Sequence, residues 1–228
     1  MGMGYILIAG ILSVVGMLVS GRLKSKFAHY SQIPMQNGLS GAQVAETMLR
    51  ENGIYDVRIL EAQGFLSDHY NPLDKTVNLS PDVYHGRSVA AAAVAAHECG
   101  HAVQHAQAYS MLKFRSAIVP VVKVASVAQQ WLLLAAFMFL NTMPQLMLIT
   151  IIAFGVTALF SFITLPVEFD ASNRALAWLD HSNVTNRVEH EGAKDALWWA
   201  AMTYVAAALS ALVMLLYLVA RYAGASRD

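Results

Sequence analysis

The chain is short of charge. Of its 228 residues only 13% are Asp, Glu, Lys or Arg, while 57% are hydrophobic; a soluble domain carries about 25% charged and about 45–50% apolar residues. It has one cysteine, Cys99, which excludes a disulfide scaffold. Neither sign of charge is in excess, since fifteen basic residues balance fifteen acidic ones. No basic field is therefore available to hold nucleic acid, and none is expected as a partner. The high apolar content also excludes a disordered chain.

The charges are missing in blocks. Residues 1–21, 124–167 and 196–220 contain none, so all thirty charged residues fall in the other 138. A helix needs about 20 apolar residues to cross the roughly 30 Å hydrocarbon core of a bilayer. The middle block holds two such lengths, separated by Asn141-Thr142-Met143-Pro144-Gln145, which has turn chemistry. Four spans are expected: an anchor within 1–21 (Tyr5 to Ser20), two within 116–165 (the first ending at Leu140, the second Leu146 to Leu165), and one within 196–222. Lys123 can snorkel to an interface. No Lys or Arg precedes the first span, and Arg22, Lys24 and Lys26 follow it, so it reads as a retained anchor rather than a secretory signal. The same cluster orients the chain. Segments 22–115 and 166–195 hold twelve of the fifteen Lys and Arg and are expected on the cytoplasmic side, with both termini and the 141–145 loop outside.

The insert at 22–115 reads as a small α+β unit. Ser40 and Gln43 form a capping box for a helix with apolar Val44, Met48 and Leu49, ending at Gly53. Residues 55–59 alternate as a strand does. Leu66 to Tyr70 and Thr76 to Leu79 flank the turn-rich Asn71-Pro72-Leu73-Asp74-Lys75 and suggest a hairpin. Ser88 then caps a helix whose first eight residues, Val89 to Ala96, are all Ala or Val. It is too short to span, and its small side chains imply burial on all sides, against the membrane helices.

That helix carries His97-Glu98-Cys99-Gly100-His101, the H-E-x-x-H pattern. Residues at i and i+4 share a face, so both imidazoles can reach one zinc ion. Imidazoles and a carboxylate in so apolar a helix are costly to bury without a ligand. Glu98 is placed to take the proton of a metal-activated water as it attacks a carbonyl and to pass it to the leaving amine. Catalytic zinc takes three protein ligands. His105 is about 12 Å further along the axis than His97 and is assigned packing or a supporting contact. Glu168, just past the third span and on the same side of the membrane, is the preferred third ligand. Pro166 suits the first turn of a helix that would contain Glu168. Asp170 and Arg174 form an i, i+4 ion pair, and Asp170 is also a candidate contact to a ligand imidazole. His69, Tyr70, Tyr84, His85 and Arg174 are equal candidates to stabilise the oxyanion. Trp131, Phe137, Met138, Trp198 and Trp199 are read as packing or lipid-facing groups.

These residues resemble the YugP-like family of neutral membrane zinc metallopeptidases. The resemblance lies in Gly64-Phe65-Leu66-Ser67-Asp68-His69-Tyr70-Asn71-Pro72, Val77 to Ser80, Ala95 to Gln104, Thr164 to Arg174 and Ala200 to Ala207. It implies a bacterial multi-pass membrane peptidase, with His97 and His101 as zinc ligands and Glu98 as acid/base. A downstream Glu as third ligand is the gluzincin pattern, shared with membrane peptidases of the HtpX and CAAX-processing type. Those relatives place an Asp four residues after that Glu, where this chain has Ser172. The expected fold is thus mainly α: four transmembrane helices with a small cytoplasmic zincin-like α+β domain between the first two, and the third ligand in 166–195. The expected function is zinc-dependent cleavage of membrane or membrane-proximal proteins at the cytoplasmic face of the bacterial cell membrane, the substrate lying extended beside an edge strand such as 55–59 or 76–79. The rival is a zinc-binding membrane scaffold without proteolysis. A transporter would place ligands inside its spans, and these spans have none.

Overall fold

The computed structural model describes residues 3–64, 67–139 and 142–225. Among them are seven helices and three strands: α1 (Met3–Ser31), α2 (Gly41–Glu51), β1 (Arg58–Glu61), β2 (His69–Asn71), β3 (Thr76–Leu79), α3 (Pro81–Tyr84), α4 (Val89–Ala106), α5 (Ser110–Met138), α6 (Gln145–His181) and α7 (Arg187–Ala225). By length and composition α1, α5, α6 and α7 can cross a membrane, as the uncharged blocks predict. Phe65, Leu66, Leu140 and Asn141, which figure in the expectations above, lie outside the described residues.

The helices outrun the blocks. α6 has 37 residues and α7 has 39, so each is about 55 Å or more in length, well beyond a bilayer core. α5 likewise begins at Ser110 rather than near 116. Pro166 does not open a new helix but sits inside α6. A helix-interior proline lacks an N–H and leaves the preceding turn one bond short. The cost is tolerated here because the helix is held on both sides of it, by separate cores.

Those cores belong to two compact units, one comprising Met1–Val19, Phe114–Leu165 and Thr203–Asp228, the other Ser20–Lys113 and Pro166–Met202. In the first, Leu133, Ala136, Met147, Phe154, Met214 and Leu218 form a narrow core. Tyr5 meets Phe137 edge-on at 5.5 Å, and the Thr150 hydroxyl donates to the Leu132 carbonyl at 3.1 Å. Ile6, Leu7, Val124, Trp131, Met138 and Leu216 are exposed, a distribution suited to helices surrounded by an apolar solvent.

The second unit has an ordinary core. The capping box forms: Gln43 N–H donates to Ser40 Oγ and Ser40 N–H to Gln43 Oε1, and α2 ends before Gly53 at φ +70°, a conformation that glycine adopts without strain. The sheet has the order β1-β3-β2, with β1 parallel and β2 antiparallel to β3. The hairpin forms, but its first arm is His69–Asn71 rather than Leu66 to Tyr70. The first strand starts three residues later than the alternation suggests, at Arg58, whose N–H donates to the Lys75 carbonyl. Residues 55–57 have no strand to pair with, because β3 begins only at Thr76. β3 is also the central strand, so 76–79 cannot receive a substrate by strand addition; the sheet's edges are β1 and β2.

Ser88 Oγ accepts from Ala91 N–H and caps α4. Ala90, Ala92, Ala93, Ala95 and Ala96 are buried, as expected, but within this unit's own core. They share it with Val44, Met48 and Leu49 of α2, Val77 and Leu79 of β3, Ala175 and Leu179 of α6 and Ala193 of α7. The small side chains serve close approach mainly to the polar ends of the long helices, with Leu197 of the uncharged block 196–220 also in this core.

Candidate metal centre

The close packing of α4 and α6 builds the centre. A Cβ on Gly100 would stand 2.5 Å from the Ala171 carbonyl oxygen, so the two backbones meet at a point only glycine allows. The contact sets His97 and His101, on one face of α4, against Glu168, one turn before Ala171 in α6. Their ligand-type atoms all lie within 4.8 Å of one another. Glu168 Oε2 is 3.3 Å from His97 Nε2 and 3.5 Å from His101 Nε2. Two ligands of a tetrahedral zinc with 2.0–2.1 Å bonds lie about 3.3 Å apart, so the donor set and spacing fit that ion.

The imidazoles are oriented from behind. Gln104, fully buried, donates its amide N–H groups to the Val167 carbonyl and to Asp170 Oδ2, both at 2.8 Å. Its Oε1 is thereby left as the acceptor, 3.0 Å from His101 Nδ1. His101 must carry its proton on Nδ1, which leaves the Nε2 lone pair facing Glu168 and His97. Ser172 Oγ lies 3.1 Å from His97 Nδ1 and holds that imidazole by a hydrogen bond on its far side. Asp170 thus supports an imidazole only through Gln104, and it also pairs with Arg174 Nε at 2.5 Å, as expected from their spacing. Gln104 was not among the residues the motif singles out; its position three after His101, on the same helix face, was the available signal.

Electrostatics match the geometry. Burial opposes charge on Glu168, but the His101 and His97 imidazoles outweigh it and hold the carboxyl well below the ordinary carboxylate range. Burial likewise opposes a cationic His101, and the Glu168 carboxylate reverses that, raising its pKa. A buried carboxylate held ionised between two imidazoles is an electrostatic environment for a cation. Glu98 is buried beside them. Cys99 is not a ligand: its thiol points to the Ala45 carbonyl at 3.6 Å, and burial pushes its pKa far up.

The other candidates are engaged elsewhere. Burial pushes the Tyr70 phenol up to about 12, and its hydroxyl is hydrogen-bonded with His105 Nδ1 at 2.7 Å. His69 Nδ1 meets the Ser67 carbonyl, His85 meets Glu61, and Arg174 Nη1 donates to Gln107.

The model of the family described as "Putative neutral zinc metallopeptidase" matches residues 5–223. The chain belongs to this family. A curated relative, "Putative membrane protease YugP" of Bacillus subtilis (strain 168), is 43% identical over 195 residues, covering 86% of each chain. No solved structure matches. The match runs through both units and takes in all three residues of the centre, so the family's zinc has a donor set in this chain that suits it.

Proposed function

We propose that the protein is a membrane-embedded endopeptidase that holds zinc with His97 Nε2, His101 Nε2 and Glu168, and that cleaves membrane or membrane-proximal proteins at the cytoplasmic face of a bacterial cell membrane. The observation that carries this reading is the convergence of His97, His101 and Glu168, with both imidazole Nε2 atoms at the spacing of a zinc tetrahedron from Glu168 Oε2 and each imidazole contacted at its other nitrogen. On this reading residues 1–21, 116–165 and 196–222 contain the spans, and 22–115 with 166–195 form the cytoplasmic catalytic part. Bound zinc would supply Lewis acidity for the scissile carbonyl and lower the pKa of the attacking water. Glu98 accepts a proton from that water as its oxygen adds to the carbonyl carbon. It then returns the proton to the amide nitrogen as the C–N bond breaks, giving a carboxylic acid and an amine. Ser172 and Gln104 hold the imidazoles in place from their Nδ1 atoms throughout.

The test is a cleavage assay on the purified full chain in detergent, with zinc quantified and an unfolded membrane protein as substrate. Cleavage that a chelator abolishes and added zinc restores is expected. Stoichiometric zinc without cleavage across varied substrates would leave a zinc-binding scaffold instead.

A further inference from the structure

A cavity of about 430 Å³ lies between α6 and α7 within the second unit, a volume in the range of roughly 300–1,000 Å³ typical of ligand pockets. His97, Glu98, His101 and Glu168 are not in its wall, so its occupant need not be the reacting segment of a substrate. The cavity has two unlike ends. On α7 its wall runs from Glu191 to Ala201, about 15 Å along the helix axis, and the uncharged block 196–220 begins within that length. On the charged side of this boundary stand Glu191 and Lys194, both exposed. On the uncharged side are Leu197, Trp198 and Ala201, faced from α6 by Phe169, whose ring centroid is 6.5 Å from that of Trp198. Trp198 is 55% exposed, and a tryptophan so placed suits the level at which water gives way to hydrocarbon.

The charges at the polar end differ in their engagement. Asp195, also in the wall, is paired with Lys26 Nζ at 2.6 Å and accepts from the Tyr30 hydroxyl at 2.7 Å. Glu191 and Lys194 have no side-chain partner among the described residues. At i and i+3 they are neighbours on the helix surface, with about 5–6 Å between Cβ atoms. A ligand that carries an anion and a cation a short link apart, and an apolar chain beyond them, would satisfy the whole cavity.

We infer that this cavity holds one zwitterionic phospholipid of the phosphatidylethanolamine type, its phosphate against Lys194, its ammonium against Glu191, and the first part of an acyl chain against Leu197, Trp198 and Ala201. The inference rests on the membrane placement proposed above. A headgroup with a phosphate and no ammonium would bring its negative charge beside an unpaired Glu191. Because both contacts are exposed to solvent, they set a preference of a few-fold among headgroups, and burial of the chain supplies most of the affinity.

The purified full chain in non-ionic detergent is titrated with phosphatidylethanolamine or with phosphatidylglycerol of the same acyl chains, and bound lipid is counted by native mass spectrometry. Wild type should retain one lipid per chain, with phosphatidylethanolamine favoured about fivefold. Glu191→Lys, at an exposed position, should reverse that preference. Ala201→Phe, which displaces about two chain methylenes from the apolar end, should weaken retention of both lipids about tenfold. Binding of both lipids that never saturates and is alike in wild type and both variants would overturn the site and leave contact with bulk lipid only. A dimer that excludes the lipid would overturn it in favour of a second copy, and displacement of the lipid by an apolar peptide in favour of a substrate segment. Flotation with phosphatidylglycerol vesicles in alkaline carbonate separates the two readings. A chain that floats but prefers neither lipid overturns the site alone, whereas a chain stripped from the vesicles overturns the membrane placement and the site with it.

Discussion

Gly100 and Ala171 meet so closely that the α-hydrogen of Gly100 occupies the only room there is between α4 and the Ala171 carbonyl: an added Cβ would lie 2.5 Å from that oxygen. The neighbour is backbone, so it cannot turn aside as a side chain would. Gly100→Ala should push α4 and α6 apart by a few tenths of an ångström or more and widen the distance from His97 and His101 to Glu168. Overpacking of this kind costs about 1–3 kcal/mol. The expected outcome is a lower melting temperature and weaker zinc binding together, read by calorimetry and chelator competition; unchanged zinc affinity would contradict the assigned role.

Gln104 links both helices to the centre. Gln104→Ala removes the acceptor for His101 Nδ1 and the donors to Val167 and Asp170. Loss of such a partner lowers metal affinity by about 10–100-fold, and competition with a chromogenic chelator should show a drop of that size. Ser172→Ala, which removes a single contact to His97, should cost less. Equal, negligible losses in both would mean that the imidazoles are held by the helix alone.

Zinc should stabilise the fold through Glu168. At a free concentration one hundred times its Kd, an ion that binds only the folded state adds about 2.7 kcal/mol. Melting of the wild type in detergent should rise accordingly when zinc is added to chelator-treated protein, whereas Glu168→Ala should respond weakly. A full response in the variant would move the third ligand elsewhere.

The architecture was legible where it followed from one-dimensional patterns. Uncharged blocks marked the four long helices, the Ser40 and Ser88 caps marked the starts of α2 and α4, and i, i+4 spacing placed His97 and His101 on one face. Glu168 was legible as a carboxylate just past the uncharged block 124–167, although Pro166 does not open a helix there, because α6 runs on through the proline. What the sequence concealed was tertiary. Whether 76–79 is an edge or a centre depends on where 58–61 pairs, and the role of Gln104 depends on Val167 and Asp170 arriving from another helix. The contact of Ser172 with His97 Nδ1 likewise depends on two helices meeting and is not readable from either stretch of sequence.

Asp68 offers a pH test of the second unit. Its carboxylate accepts from the N–H of Ser80 at 2.7 Å and from its hydroxyl at 3.0 Å, yet burial outweighs these donors and raises its pKa above the ordinary 3.8. The folded state therefore holds this proton more tightly than the unfolded one. The Asp68 contribution to stability falls as pH rises from the ordinary value through the folded value, and is constant above it. Melting temperatures of the wild type and Asp68→Asn, compared from about pH 3 to about pH 7, should show the wild type losing ground relative to the variant as pH rises. A difference that does not vary with pH would contradict the burial of this charge.

The central claim is that Glu98 moves the proton in a zinc-dependent hydrolysis. Its most direct test is the turnover of Glu98→Gln against wild type, both carrying one equivalent of zinc. Positioned general acid–base groups contribute about 10²–10⁴-fold, so the account predicts equal metal and a loss of at least about a hundredfold in kcat. Undiminished cleavage by Glu98→Gln at full zinc occupancy would contradict it.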